Sequence, residues 1–131
     1  TPAGRAARQC TQDLAGKAGN FAPETSASMY ANYFSSLSGG SELVYTIAAN
    51  YVSEFNSTGV ADPAGDHDAS TKIDLNVRLM MENGLEIKLF GKNVTDEIVG
   101  SSSLALPLTP GSFFKLWEPG KQFGISIRKS F

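Results

Sequence analysis

The sequence predicts an all-β protein of five long antiparallel strands, and three observations carry that expectation. Apolar and polar residues alternate with a period of two through several long runs. Two pairs of runs are separated by tight turn signals, Ser38-Gly39-Gly40 and Glu82-Asn83-Gly84. The other connections are long, hydrophilic and rich in Gly, Pro, Ser and Asp.

Residues 1–26 carry Pro2, Gly4, Gly16, Gly19 and Pro23 with no sustained period and read as loop, with room for a short helix over residues 5–13. A first strand is expected over residues 27–37; its aromatic stretch Met29-Tyr30-Ala31-Asn32-Tyr33-Phe34 has apolar residues at both parities, which leaves its facing open. The second, over 41–54, places Leu43, Tyr45, Ile47, Ala49 and Tyr51 on one face. Residues 55–69 read as a polar loop. The clearest strand follows at 70–82, where Ile73, Leu75, Val77, Leu79 and Met81 oppose Lys72, Asp74, Asn76, Arg78 and Glu82. Asn83-Gly84 tolerates the positive φ angles of a type I′ turn, and the fourth strand, 85–92, alternates Leu85, Ile87 and Leu89 with Glu86, Lys88 and Phe90. Residues 93–120 read as a second, longer loop. The last strand, 121–131, puts Phe123, Ile125, Ile127, Lys129 and Phe131 on one face.

Composition excludes several classes of function. A net charge of −2 with Lys and Arg scattered singly offers no basic stripe, so nucleic acid is not an expected partner. No apolar run is long enough for a transmembrane helix, and no basic-then-apolar leader opens the chain. The chain starts at Thr1 and is expected to be a fragment of a longer protein. Its single cysteine, Cys10, reads as a loop thiol or as half of a pair completed upstream.

The expected strands match or exceed the roughly 9–11 residues that a tilted strand needs to cross a bilayer. Short turns fall at one end of the sheet and long loops at the other, as in outer-membrane barrels. An antiparallel transmembrane β-barrel segment follows, with its apolar face toward lipid and its charged face toward a wet lumen. A soluble β-sandwich or small ligand-binding barrel is the first alternative, since the same alternation serves a protein core. A small structural outer-membrane barrel is the second, although it requires at least eight strands.

The stretch Gly84-Leu85-Glu86-Ile87-Lys88-Leu89-Phe90-Gly91-Lys92-Asn93-Val94-Thr95-Asp96, followed by a loop and a strand ending on Phe131, resembles the C-terminal end of TonB-dependent outer-membrane receptors. Asp13-Leu14-Ala15-Gly16-Lys17 and Ala22-Pro23-Glu24 resemble the loop before that family's closing strands. Two positions depart from the pattern: Thr25-Ser26 stands where relatives often carry Trp-Thr, and Lys129 where an apolar residue is usual. The resemblance spans nearly all of residues 1–131. It implies the closing five strands of a barrel of about 22 strands whose plug domain and energy-coupling segment are absent from this chain. It implies uptake of a scarce ligand, such as a siderophore, haem, cobalamin or glycan, with energy relayed by the TonB system. The implied partners are outer-membrane lipid, the rest of the barrel with its plug, and the barrel-assembly machinery. That machinery would read Phe131, with Ile127, Ile125 and Phe123 on the same face; Lys92, Asn93, Val94, Thr95 and Asp96 are the family motif.

Other residues invite sharper roles. Phe113, Phe114 and Trp117 are candidates for ligand contact, or for loop packing and an interfacial aromatic girdle. Asp66-His67-Asp68 offers metal donors but no converging set, so neither a metal nor another cofactor is expected. The one histidine has no identifiable nucleophile beside it, and no enzymatic activity is expected. Lys72, Asp74, Arg78, Glu86 and Lys88 read as pairing with one another across neighbouring strands, or as lining a substrate path.

Overall fold

The structure, a computed structural model, describes residues 13, 15–16, 18–58 and 62–131. The elements in order are β1 (Ser26–Ser36), β2 (Glu42–Val52), β3 (Phe55–Asn56), a 3-10 turn (Pro63–Gly65), β4 (Asp66–His67), β5 (Ser70–Met80), β6 (Leu85–Lys92), β7 (Gly100–Ala105), β8 (Phe113–Trp117) and β9 (Gln122–Lys129). The protein is all-β. Five strands form one antiparallel sheet in the order β1-β2-β5-β6-β9, and β3-β4 and β7-β8 form two small separate hairpins. The main sheet is open, with β1 and β9 as its edges. Cys10 and most of the helix considered over residues 5–13 lie outside the described residues; the described part of 13–25 contains turns and no strand.

All five expected strands form, within one or two residues of their expected ends. The corrections lie in the connections. The loops at 55–69 and 93–120 are not irregular throughout, because each holds a hairpin. In the second, Phe113-Phe114-Lys115-Leu116-Trp117 has strong strand preference, and it folds back on Gly100–Ala105 through the Pro107 to Gly111 turn. The Glu82-Asn83-Gly84 turn is also not type I′. Only Gly84 has positive φ there, at 79°, and its N–H donates to Met81 O at 3.0 Å. The connection is therefore a type I turn on Glu82 and Asn83 closed by a left-handed glycine, a three-residue hairpin loop. Asn83 contributes its side chain instead, Oδ1 accepting from the Leu85 N–H at 3.0 Å.

Register settles which residues share a face. Met29, Ala31 and Tyr33 lie opposite Ala49, Ile47 and Tyr45, which in turn lie opposite Ile73, Leu75 and Val77. Val77, Leu89 and Ile125 continue the row, as do Leu79, Ile87 and Ile127. The facing left open for β1 is thus resolved: Met29 and Tyr33 join the apolar face, whereas Tyr30 and Phe34 join the polar one beside Ala48 and Val44. Nothing within the described residues covers the apolar face. Met29 is 75% exposed, Ile125 61% and Ile127 66%, and Val44 is the one buried hydrophobic residue among those described.

On the polar face, Ser28 Oγ donates to Asn50 Oδ1 at 2.8 Å and Thr46 Oγ1 to Asn32 Oδ1 at 2.7 Å. The expected pairing among the charged residues does not form. Arg78 lies directly opposite Lys88, while Lys72 pairs instead with Glu118 and Asp74 accepts from the backbone of Asn93. Lys129 ends the apolar face with its ammonium on the Asn83 carbonyl, so the turn itself receives the charge.

Two glycines on neighbouring strands explain how β6 and β9 pack. Phe90 lies opposite Gly124 and Phe123 opposite Gly91, and each ring lies over its glycine, where a Cβ would overlap it. A ring placed on a cross-strand glycine recovers contact that the missing side chain cannot make. Gly124→Ala and Phe90→Ala should each lower the urea midpoint of the folded protein. Combined, they should fall short of additivity by about 0.5–1 kcal/mol, because both remove the same contact.

Candidate functional site

The long-loop end of the sheet holds the side chains with chemistry to offer, in three clusters. The first is the turn after β6. Asn93 and Asp96 adopt left-handed φ angles of 48° and 56°, a conformation that Asn and Asp tolerate better than most residues. Asn93 is buried and acts as the hub. Its N–H donates to Asp74 Oδ1 at 2.8 Å and its Nδ2 to Glu97 O at 2.9 Å, while its Oδ1 accepts from the Glu97 N–H at 3.0 Å and from Thr95 Oγ1 at 3.3 Å. The Thr95 hydroxyl lies within reach of Thr71 O as well and shares its one proton between the two acceptors, and the Val94 N–H donates to Ile73 O. Asp96 then fixes the start of β9: its Oδ1 accepts from the Lys121 N–H at 3.0 Å and its Oδ2 meets Lys121 Nζ at 3.0 Å. The Lys121 backbone and side-chain hydrogen bonds hold the Asp96 carboxyl below the usual carboxylate range. The Lys92 to Asp96 stretch is thus a polar knot that ends β6, ties it to β5 and receives β9.

The second cluster is a cleft of about 480 Å³ on the polar face, lined by Ser28, Asn50, Lys72, Asp74, Lys92 and Gln122. The Lys72–Glu118 ion pair, at 2.6 Å, closes one side and ties the end of β8 to the sheet.

The third cluster surrounds His67. The chain reverses between β3 and β4 because Asp62 caps the 3-10 turn, its Oδ1 accepting from the Ala64 N–H at 2.8 Å, and Asn56 Nδ2 bridges to Asp62 O and Asp66 Oδ1, each at 2.7 Å. This brings Ser57 Oγ within 2.8 Å of His67 Nε2 and stacks Phe55 on the imidazole at 4.8 Å between centroids. His67 is buried, and Gly100 of β7 approaches so closely that a Cβ there would overlap Nδ1. Lys115 Nζ donates to Asp66 O at 3.1 Å and sits over the Trp117 ring at 5.4 Å. Burial, and then Lys115, push the His67 pKa down, against the opposing pull of Asp66 and Asp68.

His67 thus has the hydroxyl partner that sequence reasoning missed. No spacing rule links residues 57 and 67; the signal was the Asp-Pro start and glycine end of the intervening 3-10 turn. A serine–histidine contact can activate a nucleophile when substrate can reach it. Ser57 is only 2% exposed and its hydroxyl also lies 3.4 Å from Gly65 O, so this pair holds the loop in place. No group of three or more His, Cys, Asp and Glu side chains converges among the described residues, and Asp66 is engaged by Asn56.

The aromatic candidates do not form one surface. Phe113 and Trp117 share a hairpin face with Lys115, whereas Phe114 lies on the other with exposed Leu104 and Leu116. Phe123, Ile125 and Ile127 stand exposed on the apolar face of β9, and Phe131 extends past the end of that strand. Comparison with protein-family models, with curated proteins and with solved structures found no match.

Asn93→Ala should cost about 1–3 kcal/mol, since it strands the half-buried Glu97 N–H and C=O groups; Asn93→Asp, which keeps the acceptor, should cost less in the same urea titration. The Asp96 clamp should be fully closed at neutral pH, weaken progressively as the pH falls below the ordinary carboxylate value, and reach its limit below the lowered value of its carboxyl. Hydrogen exchange at the start of β9 measures that opening.

Proposed function

We propose that this chain is the closing five-strand segment of a TonB-dependent outer-membrane receptor, an active transporter for a scarce ligand. The observation that carries the reading is the apolar face of the sheet, where Met29, Tyr33, Leu75, Leu89, Ile125 and Ile127 stand exposed, backed by a hydrogen-bonded polar face. In a soluble sandwich a second sheet would cover such a face; the two small hairpins branch from the long-loop end instead. Lipid is the matching solvent for it, and charged groups belong on the opposite, wet side.

Strand lengths agree with this. The first three strands of the sheet have 11 residues each and the last two have 8, close to what a tilted crossing needs. The connections agree as well. Residues 37–41 and 81–84 make the short turns at one end, while residues 53–69 and 93–121 make the long loops at the other. On this reading the free edges β1 and β9 pair with the rest of the barrel. The polar face looks toward the lumen and its plug, and β9 with Phe131 is what the assembly machinery engages. The knot at Lys92 to Asp96 lies at the outer rim. TonB coupling and ligand choice belong to the parts of the receptor beyond this segment and to its loops.

Adjacent arginine substitutions separate lipid from lumen. In the complete protein that carries this chain, folded material should migrate differently boiled and unboiled. Leu75→Arg should destabilise the folded form by about 2–4 kcal/mol, the cost of an arginine at mid-bilayer, and so lower the folded fraction, whereas Asn76→Arg should leave it nearly unchanged. A protein monomeric in plain buffer, equally tolerant of both changes, would overturn the proposal.

A further inference from the structure

The His67 cluster joins two segments with few other ties: the β3-β4 loop and the β7-β8 hairpin. The imidazole fills the seam between them, with Phe55 on one face, Ser57 at Nε2 and Gly100 at Nδ1. Lys115 Nζ, reaching across to Asp66 O, is the one hydrogen bond across this seam among the described residues, and His67 itself meets the hairpin through its close contact with Gly100. We propose that His67 is a pH-sensitive latch, closing the β3-β4 loop onto the β7-β8 hairpin when neutral and releasing it when protonated. This inference rests on the contacts and charges of the two loops and stands whether or not the sheet spans a membrane.

The geometry explains why the charged ring does not fit. Ser57 Oγ lies within reach of Gly65 O, so its proton has an acceptor there and Nε2–H can donate to Oγ. Nδ1 then carries only a lone pair, which suits its contact with the Gly100 methylene. A second proton would go onto Nδ1, which the Gly100 backbone crowds and which pairs with no hydrogen-bond acceptor among the described residues. A buried donor without a partner, carrying charge, is costly, and opening the seam to water relieves it.

The charged groups around the ring act in both directions. Lys115 from β8 disfavours the imidazolium, and Asp66 and Asp68 on either side of His67 favour it. Glu24 and Glu54 line the same cleft, of about 680 Å³, and face any ring released into it. Burial and Lys115 outweigh the carboxylates, so the folded value lies below the ordinary histidine value of about 6.5. The sign follows from proton linkage. Between the folded value and about 6.5 the open state binds more protons than the closed one, so closure weakens as pH falls. Above that window the latch is fully closed, and below it the loss reaches its limit.

Hydrogen exchange of segments 55–68 and 100–117 in the complete protein, corrected for intrinsic rates, tests this between pH 7.5 and pH 5.0. Wild-type protection should fall several-fold, up to a linkage limit of about 30-fold, in both segments together, while β5 and β6 stay protected. In His67→Gln, which can still bond Ser57 but cannot titrate, the pH dependence should vanish. Lys115→Gln removes the opposing positive charge, and should move the midpoint of the wild-type transition toward higher pH; this readout remains if His67→Gln loosens the loop outright. Equal wild-type protection at both pH values, or a loss of the same size in His67→Gln, overturns the proposal.

Discussion

In an antiparallel ladder every second side chain leaves on the same side, and in this protein that geometry sorts the chemistry of the whole sheet. Five strands in register collect Met29, Ile47, Leu75, Leu89 and Ile125 on one side and Ser28, Asn50, Lys72 and Lys92 on the other. Among the described residues no second layer covers either side, and Val44, at 8% exposure, is the one buried hydrophobic side chain. Ordinary domains are held by a core between two layers. Here the backbone ladder, the turn chemistry and the cross-strand contacts do the holding, and the apolar face needs a medium or partner that replaces a core.

The two ends of the sheet are stabilised by different physics. At the short-turn end, backbone geometry suffices: Gly39, Gly40 and Gly84 take positive φ, and the Lys129 ammonium finishes a turn carbonyl. At the long-loop end the large apolar residues, such as Leu104, Phe114, Leu116 and Trp117, stay exposed and do not bury enough hydrocarbon to offset the entropy of ordering the loops. Order there comes from side chains that bond backbone groups. Asn93 does so after β6, Asn56 and Asp62 before β4, and Asp96 at the start of β9. Each uses the short reach of Asn or Asp to imitate a backbone partner.

That difference decides what could be read from the sequence. The five strands were legible because period-two alternation is a local property and needs no knowledge of neighbours. The facing of β1 was not, because Tyr30 and Tyr33 look equally apolar until pairing with Ala48 and Tyr45 assigns their sides. The Asn83-Gly84 pair marked a hairpin but not its type, since the choice between a two- and a three-residue loop rests on the Met81 and Leu85 register. The charge pattern misled for a related reason. Lys72 has a closer carboxylate in Glu118, 46 residues away, than in any strand neighbour. The Lys92 to Asp96 motif was legible as a pattern, yet its work as a knot depends on Asp74 and Lys121, which the pattern does not include.

The β7-β8 hairpin shows how few anchors a loop element needs in order to present a defined surface. β8 is only five residues long, yet it is fixed beyond its ladder at two points: Lys115 on the Asp66 carbonyl, and Glu118, just past its end, on Lys72. Trp117 lies between those anchors in the chain, its ring beneath Lys115 Nζ and close to Gly100. Alternation then forces Phe114 to the opposite side, with Leu104 and Leu116. The hairpin therefore has one face committed to His67 and its neighbours and one apolar face free. Any contact made by that free face depends on Leu104, Phe114 and Leu116, not on Trp117.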